Sequence, residues 1–192
     1  MAKLRTVNVD FRGLERFSAE IKRGLASPAK GNPIRNALDQ WGVRYLAFTK
    51  RRFVKFSRGS GDWPALKEAT VKRRKRPKGK TARSKTRRTG GRVAILWNTK
   101  TLLGGLDIGN AGNLFKHLLH AVRVGFSGTK RHPGGRASVA DIAAFHNLGE
   151  GDVPQRAILV KPDQPTINGM QRDMARAFGR LLRKHDMGKG GT

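Results

Sequence analysis

Five histidines, His117, His120, His132, His146 and His185, are the first side chains to test for chemistry. None stands in an HExxH arrangement or another paired-ligand pattern. His117 and His120 are three residues apart in a stretch with strand-like alternation. On a strand they face opposite sides, so a shared metal would require a helix there. The 13 acidic residues are thinly spread, and no pair presents itself as a general acid and base. Gly125-Phe126-Ser127-Gly128-Thr129-Lys130 lacks the full phosphate-loop spacing and reads as a strand-end loop. There is no cysteine, hence no disulfide and no thiolate zinc site. No catalytic, metal or cofactor-binding residue is expected.

The chemistry that is present is charge. Lys72, Arg73, Arg74, Lys75, Arg76, Lys78, Lys80, Arg83, Lys85, Arg87, Arg88 and Arg92 lie within 21 residues that contain no acid. Such a run can neutralise phosphates and release counterions without reading sequence. It can equally meet an acidic protein neighbour or remain solvated. The run carries no large apolar residue, which predicts a disordered insertion between Thr70 and Ile95.

The whole chain shares that bias. Its 192 residues carry a formal charge of +28, with 41 Lys and Arg against 13 Asp and Glu. A charge of this size favours polyanionic partners such as nucleic acid, or acidic surfaces in a larger assembly. The apolar fraction of 37% allows a modest core. No apolar run reaches the roughly 18 residues of a membrane span, and the N-terminus lacks a signal-peptide core, so no membrane role is expected.

These residues need elements to hold them. Leu4, Val7 and Val9 suggest a short strand or an extended arm, and Leu14, Phe17, Ile21 and Leu25 have helical spacing. A longer helix is predicted from about Ile34 to Phe56, with Ile34, Leu38, Trp41, Tyr45, Phe48 and Phe53 inward and Gly42 weakening it. Its end, Lys50 to Phe56, mixes bases with rings, and a core stripe is preferred there over a stacking surface. Asp62 is expected to cap a short helix to Val71, and Asn98 or Thr99 one through Leu103. Leu106–Ile108 and Leu118–Phe126 read as a hairpin turning at residues 110–113. Ser138 is expected to cap a helix closed by Gly149, with His146 a packing and capping residue near its end. Residues 157–160 read as a third strand, and Pro162 and Pro165 open a last helix over Ile167, Met170, Met174, Phe178 and Leu181. The predicted fold is α+β: N-terminal helices, a small antiparallel sheet packed on helices, and a C-terminal helix. Expected divisions are an arm and helices over 1–60, an α+β domain over 61–184 and a flexible tail over 185–192.

The order of motifs carries a resemblance. Trp63-Pro64-Ala65-Leu66 precedes the basic spacer. Ile95-Leu96-Trp97-Asn98-Thr99-Lys100-Thr101-Leu102-Leu103 follows it, and then Val122-Arg123-Val124-Gly125. Last come Ala143-Ala144-Phe145-His146-Asn147-Leu148-Gly149 and Val153-Pro154-Gln155-Arg156-Ala157-Ile158-Leu159. Over about residues 60–182 this order resembles the tail-completion, or virion morphogenesis, family of tailed bacteriophages. Phe145, Asn147 and Lys100 depart from the residues usual there, and the basic insertion is unusual.

The resemblance implies a non-enzymatic structural protein at the head–tail junction of a virion, assembled in the host cytoplasm. It implies a ring homo-oligomer, typically hexameric, that meets neck or adaptor and tail-tube proteins around the packaged DNA. On that basis Trp63, Leu66, Leu102, Gly125, His146, Gly149, Pro154 and Arg156 are the expected motif and interface residues, with Arg156 an interface ion-pair partner. Without the resemblance, the charge alone supports a general nucleic-acid-binding protein.

Overall fold

A computed structural model describes residues 18, 19, 22, 32–75, 88, 89, 92, 93, 95, 96, 100–118, 121–133, 135–150 and 152–187. The long helix α1 spans Pro33–Ser57. Asn32 starts it: its side-chain oxygen accepts from the Ile34 amide at 2.9 Å, and proline occupies the first turn. Ile34, Phe48 and Phe53 are buried as the spacing predicts, and Leu46, which the predicted face did not include, is buried with them. Leu38, Trp41 and Tyr45 are half-buried, the last two bonding outward to other segments. Gly42 is not an idle weak point. A Cβ there would lie 2.7 Å from the Phe115 ring, so glycine lets the sheet approach the helix.

Helix α2 is Glu68–Lys75, six residues later than the start expected at Asp62. Trp63 to Lys67 are irregular because the Pro64 and Ala65 carbonyls, which a helix would use, instead accept from Arg156. Part of the basic run is ordered, contrary to expectation. Lys72 to Lys75 complete α2, and β1 (Arg88–Thr89) pairs antiparallel with β2 (Arg92–Val93).

The helix α3 is short, Thr101–Gly104, with Lys100 at its N-cap in left-handed conformation and no side-chain cap. Asn98 and Thr99, the expected caps, lie outside the described residues. The predicted hairpin exists with a different first strand. Strand β3 is Asn113–His117 and pairs with β4, Val122–Phe126, in the register Leu114↔Gly125 and Lys116↔Arg123. Leu106 instead turns into the core, 2% exposed, and Ile108 is exposed. The turn around Asn110 stands, with the Asn110 side chain accepting from the Gly112 amide at 2.8 Å.

Two more helices close the fold. Helix α4, Val139–Leu148, runs as expected from Ser138 to Gly149. Helix α5, Gln164–Met187, continues into the expected tail. The Asp163 carboxylate accepts from the Thr166 amide at its start. Residues 157–160 form no strand.

The result is α+β. Helix α1 lies along one face of the β3–β4 hairpin and along α5. Leu46 and Phe53 join Trp63, Ile95, Leu102, Leu106, Phe126, Val139, Ala143 and Ile158 in one apolar cluster. That cluster crosses the boundary expected at residue 60. Within it Trp63 meets Phe53 edge-on at 5.3 Å and Phe56 at 5.7 Å. The aromatic residues Phe53 and Phe56 therefore serve packing, not base stacking. The arm through Val9 and the apolar positions of the first predicted helix lie outside the described residues, although Ser18, Ala19 and Lys22 are helical.

Candidate functional site

Three of the motifs singled out in the sequence, those around Trp63, His146 and Arg156, converge on the C-terminal end of α4. That helix is fixed first by its start, where the Ser138 hydroxyl accepts from the Asp141 amide at 3.1 Å and the Asp141 carboxylate accepts from the Ser138 amide at 2.8 Å. The Ser138 amide and then its hydroxyl hold the Asp141 carboxyl below the usual carboxylate range. At the other end Gly149 adopts φ 76°, and its amide donates to the Phe145 carbonyl at 2.9 Å. A Cβ on Gly149 would lie 2.9 Å from Gln155 Cβ, so glycine also admits the returning chain.

That returning segment is stitched to α4 by unlike bonds. The Arg156 amide donates to the His146 carbonyl at 2.6 Å. The Asn147 side-chain oxygen accepts from the amides of Ile158, at 2.9 Å, and Leu159, at 3.1 Å. One side chain thus replaces the neighbouring strand that these amides would otherwise need. The carbonyls are also taken by side chains. Trp63 and Arg52 both donate to the Ala157 carbonyl, and the Tyr45 hydroxyl donates to that of Val160 at 3.1 Å. Burial pushes the Tyr45 hydroxyl up and the Arg52 guanidinium down from their ordinary values.

Arg156 sits at the centre, 4% exposed. Its guanidinium donates to the Pro64 carbonyl at 3.0 and 3.2 Å and to that of Ala65 at 3.3 Å. It acts here as an internal clamp, where the resemblance led to the expectation of an interface ion-pair partner. Trp63 and Leu102 are buried, and Gly125 is buried in β4. Leu66, His146 and Pro154 are half-buried. The structure brings Trp63, Leu66, His146, Gly149, Pro154 and Arg156 to this corner or its borders. Sequence reading missed Asn147 as the residue that organises the segment. Its position two residues before Gly149, ahead of a stretch with no strand partner, was the available signal.

Beside the corner lies an apolar groove of about 410 Å³ between α4 and the hairpin, lined by Leu114, Ala140, Ala144, Leu148 and Leu159 among others. The exposed side chains of Phe145 and Leu148 belong to the same helix end.

The basic residues are more scattered. Lys72 is exposed and 2.7 Å from the Glu68 carboxylate one turn earlier. Arg73, Arg74 and Lys75 are on α2, and Arg88 and Arg92 are on the paired strands β1 and β2. Arg76, Lys78, Lys80, Arg83, Lys85 and Arg87 lie outside the described residues. His117 Nδ1 is 2.7 Å from the Asp39 carboxylate. His120 lies outside the described residues, and His185 is in α5. Among the described residues no group of three His, Asp or Glu could hold a metal ion, and no helix is long and apolar enough to cross a membrane. The loop after β4 is closed on itself by a 2.8 Å bond between the Ser127 and Thr129 hydroxyls.

Comparison of the chain with protein-family models, curated proteins and solved structures finds no match.

Proposed function

We propose that the chain is a structural subunit of a tailed-phage virion, of the tail-completion or tail-terminator type, that joins tail to head around the DNA path. One observation carries this reading. Three of the five segments whose order resembles that family's motifs, those around Trp63, His146 and Arg156, meet in one bonded corner, with Arg156 joining the Pro64 segment to the end of α4. Residues so used build a subunit. The charge of +28 suits a ring that encloses a polyanion. In this reading the subunit assembles as a hexameric ring and meets neck and tail-tube proteins.

The test is assembly and genetic setting together. The purified chain should form closed rings in negative-stain images, with a mass that is an integral multiple of the subunit. Its gene should lie among those for portal, adaptor, tail-tube and tape-measure proteins. A chain that remains monomeric and is encoded away from such genes overturns the proposal. DNA binding by itself decides nothing, because a chain this basic binds DNA in any case.

A further inference from the structure

A second basic surface lies outside the run that dominates the sequence. Helices α1 and α5 pack side by side, and two clefts follow their seam. The larger, about 490 Å³, is lined by Arg44, Arg176 and Arg180. The smaller, about 260 Å³, is lined by Arg44 and Arg51, so the two share Arg44. Pro33 and Ala37 meet Ala177 and Arg180 at one end, and Arg51 meets Pro165 and Thr166 at the other. The helices therefore run antiparallel, and their cations line up in one row.

The spacing within each helix produces that row. Arg44, Arg51 and Lys55 are separated by 7 and 4 residues, and Arg176, Arg180 and Arg183 by 4 and 3, so each set occupies one stripe. All six side chains are exposed. Arg51 is 18 residues from Pro33, which lines the same cleft as Arg180. At about 1.5 Å per residue the row along the clefts covers roughly 27 Å, most of one turn of duplex DNA at about 34 Å.

Three acids lie on the same face, and each has a partner. Asp173 is gripped by Arg44 at 2.5 and 3.1 Å, with Arg176 at 4.0 Å. Asp39 is beside His117, and Asp163 accepts from the Thr166 amide and feels the charge of Arg51. The row stays positive after these are counted. Neither cleft is lined by an aromatic ring or a large aliphatic side chain. A protein partner would need such anchors, whereas a phosphate backbone needs only placed cations.

We infer that the α1–α5 seam is a docking surface for the phosphate backbone of duplex DNA. It requires neither the ring nor the basic run, and it reads no base. The measurement is the salt dependence of binding to a 30-base-pair duplex, followed by fluorescence anisotropy on the full chain. The variant R51Q/R176Q/R180Q leaves Arg44 and its Asp173 contact in place. A control, K116Q/R123Q/K130Q, removes three exposed cations from the hairpin and its loop.

At about 0.9 per phosphate contact, the seam variant should lower the slope of log K against log salt by about 2 to 3. The control should lower it by less than 1, and thermal unfolding should confirm that both variants fold. Equal changes in the two variants, or no change in either, overturn the inference. So does loss of polyglutamate binding in the seam variant with duplex binding intact, which would assign the surface to an acidic protein. Monomers with a seam-dependent slope would refute the ring and leave this inference standing. Rings with a seam-independent slope would do the reverse.

Discussion

Arg156 and Pro64 are 92 residues apart in the chain, and the guanidinium of the first donates to the carbonyl of the second at 3.0 and 3.2 Å. The bond fixes a segment that has no regular structure of its own. Replacing Arg156 with Ala leaves the Pro64 and Ala65 carbonyls without these donors and removes a buried, well-packed stem. Hydrogen bonds to charged groups contribute about 1.5–3 kcal/mol, so R156A should cost roughly 2–4 kcal/mol. Urea unfolding measures it. Lysine should rescue only in part, because it cannot reproduce the fork. An R156A protein as stable as the parent would refute the clamp, whatever its assembly.

Asn147 makes a separate prediction. Its oxygen serves two backbone amides, and Asn147→Ala strands both. The expected loss is about 2 kcal/mol. Hydrogen exchange at the Ile158 and Leu159 amides should accelerate more than at the Arg156 amide, which bonds to the His146 carbonyl. Uniform acceleration across the segment would show that the side chain has no local role.

Two helix glycines should respond with opposite signs. Alanine is intrinsically better in a helix by about 1 kcal/mol. At Gly179 an added Cβ meets only the Arg183 guanidinium, at 4.0 Å, so Gly179→Ala should stabilise α5. At Gly42 it would meet the Phe115 ring at 2.7 Å, and crowding of this kind costs about 1–3 kcal/mol. Gly42→Ala should therefore lower the melting temperature while Gly179→Ala raises it. A rise in both would mean that the hairpin can retreat from α1 without cost.

Acid should loosen the α1–α5 packing. The Arg44 hydrogen bond is the largest influence holding the Asp173 carboxyl below its usual range. A depressed carboxyl stabilises the fold above its unfolded value, near 3.8, and loses that contribution as pH falls further through its folded value. The parent should thus lose stability below about pH 4, and Asp173→Asn should show a flatter acid limb. Identical limbs in guanidinium unfolding at pH 2.5–5 would remove Asp173 from the account.

Helices with a clear apolar period and clear end signals were legible from residues alone. Ser138 and Gly149 bracket α4 because capping and left-handed closure are local chemistry. The α1 stripe was equally plain, since one helix face must be apolar to join the core. Strand β4 was legible from its alternation, but β3 was not: Leu114 and Phe115 are adjacent, between polar neighbours, with no period to read. The turn that pairs them had to be chosen by packing against α1.

The sequence by itself determined the positive charge, the lack of cysteine and the composition of an α+β chain with local caps, because each follows from residue type or short-range spacing. Only the tertiary structure decided what the corner residues do. Residues 157–160 have the apolar character of a strand, yet their amides and carbonyls are met by Asn147, Tyr45 and Trp63 from elsewhere in the chain. Arg156 has the chemistry of an ion-pair residue, yet it is buried on two carbonyls. The row of cations on α1 and α5 likewise exists only because the two helices pack antiparallel. Partners separated by about a hundred residues leave no periodic trace, and burial rather than residue type selects which bond each polar group makes.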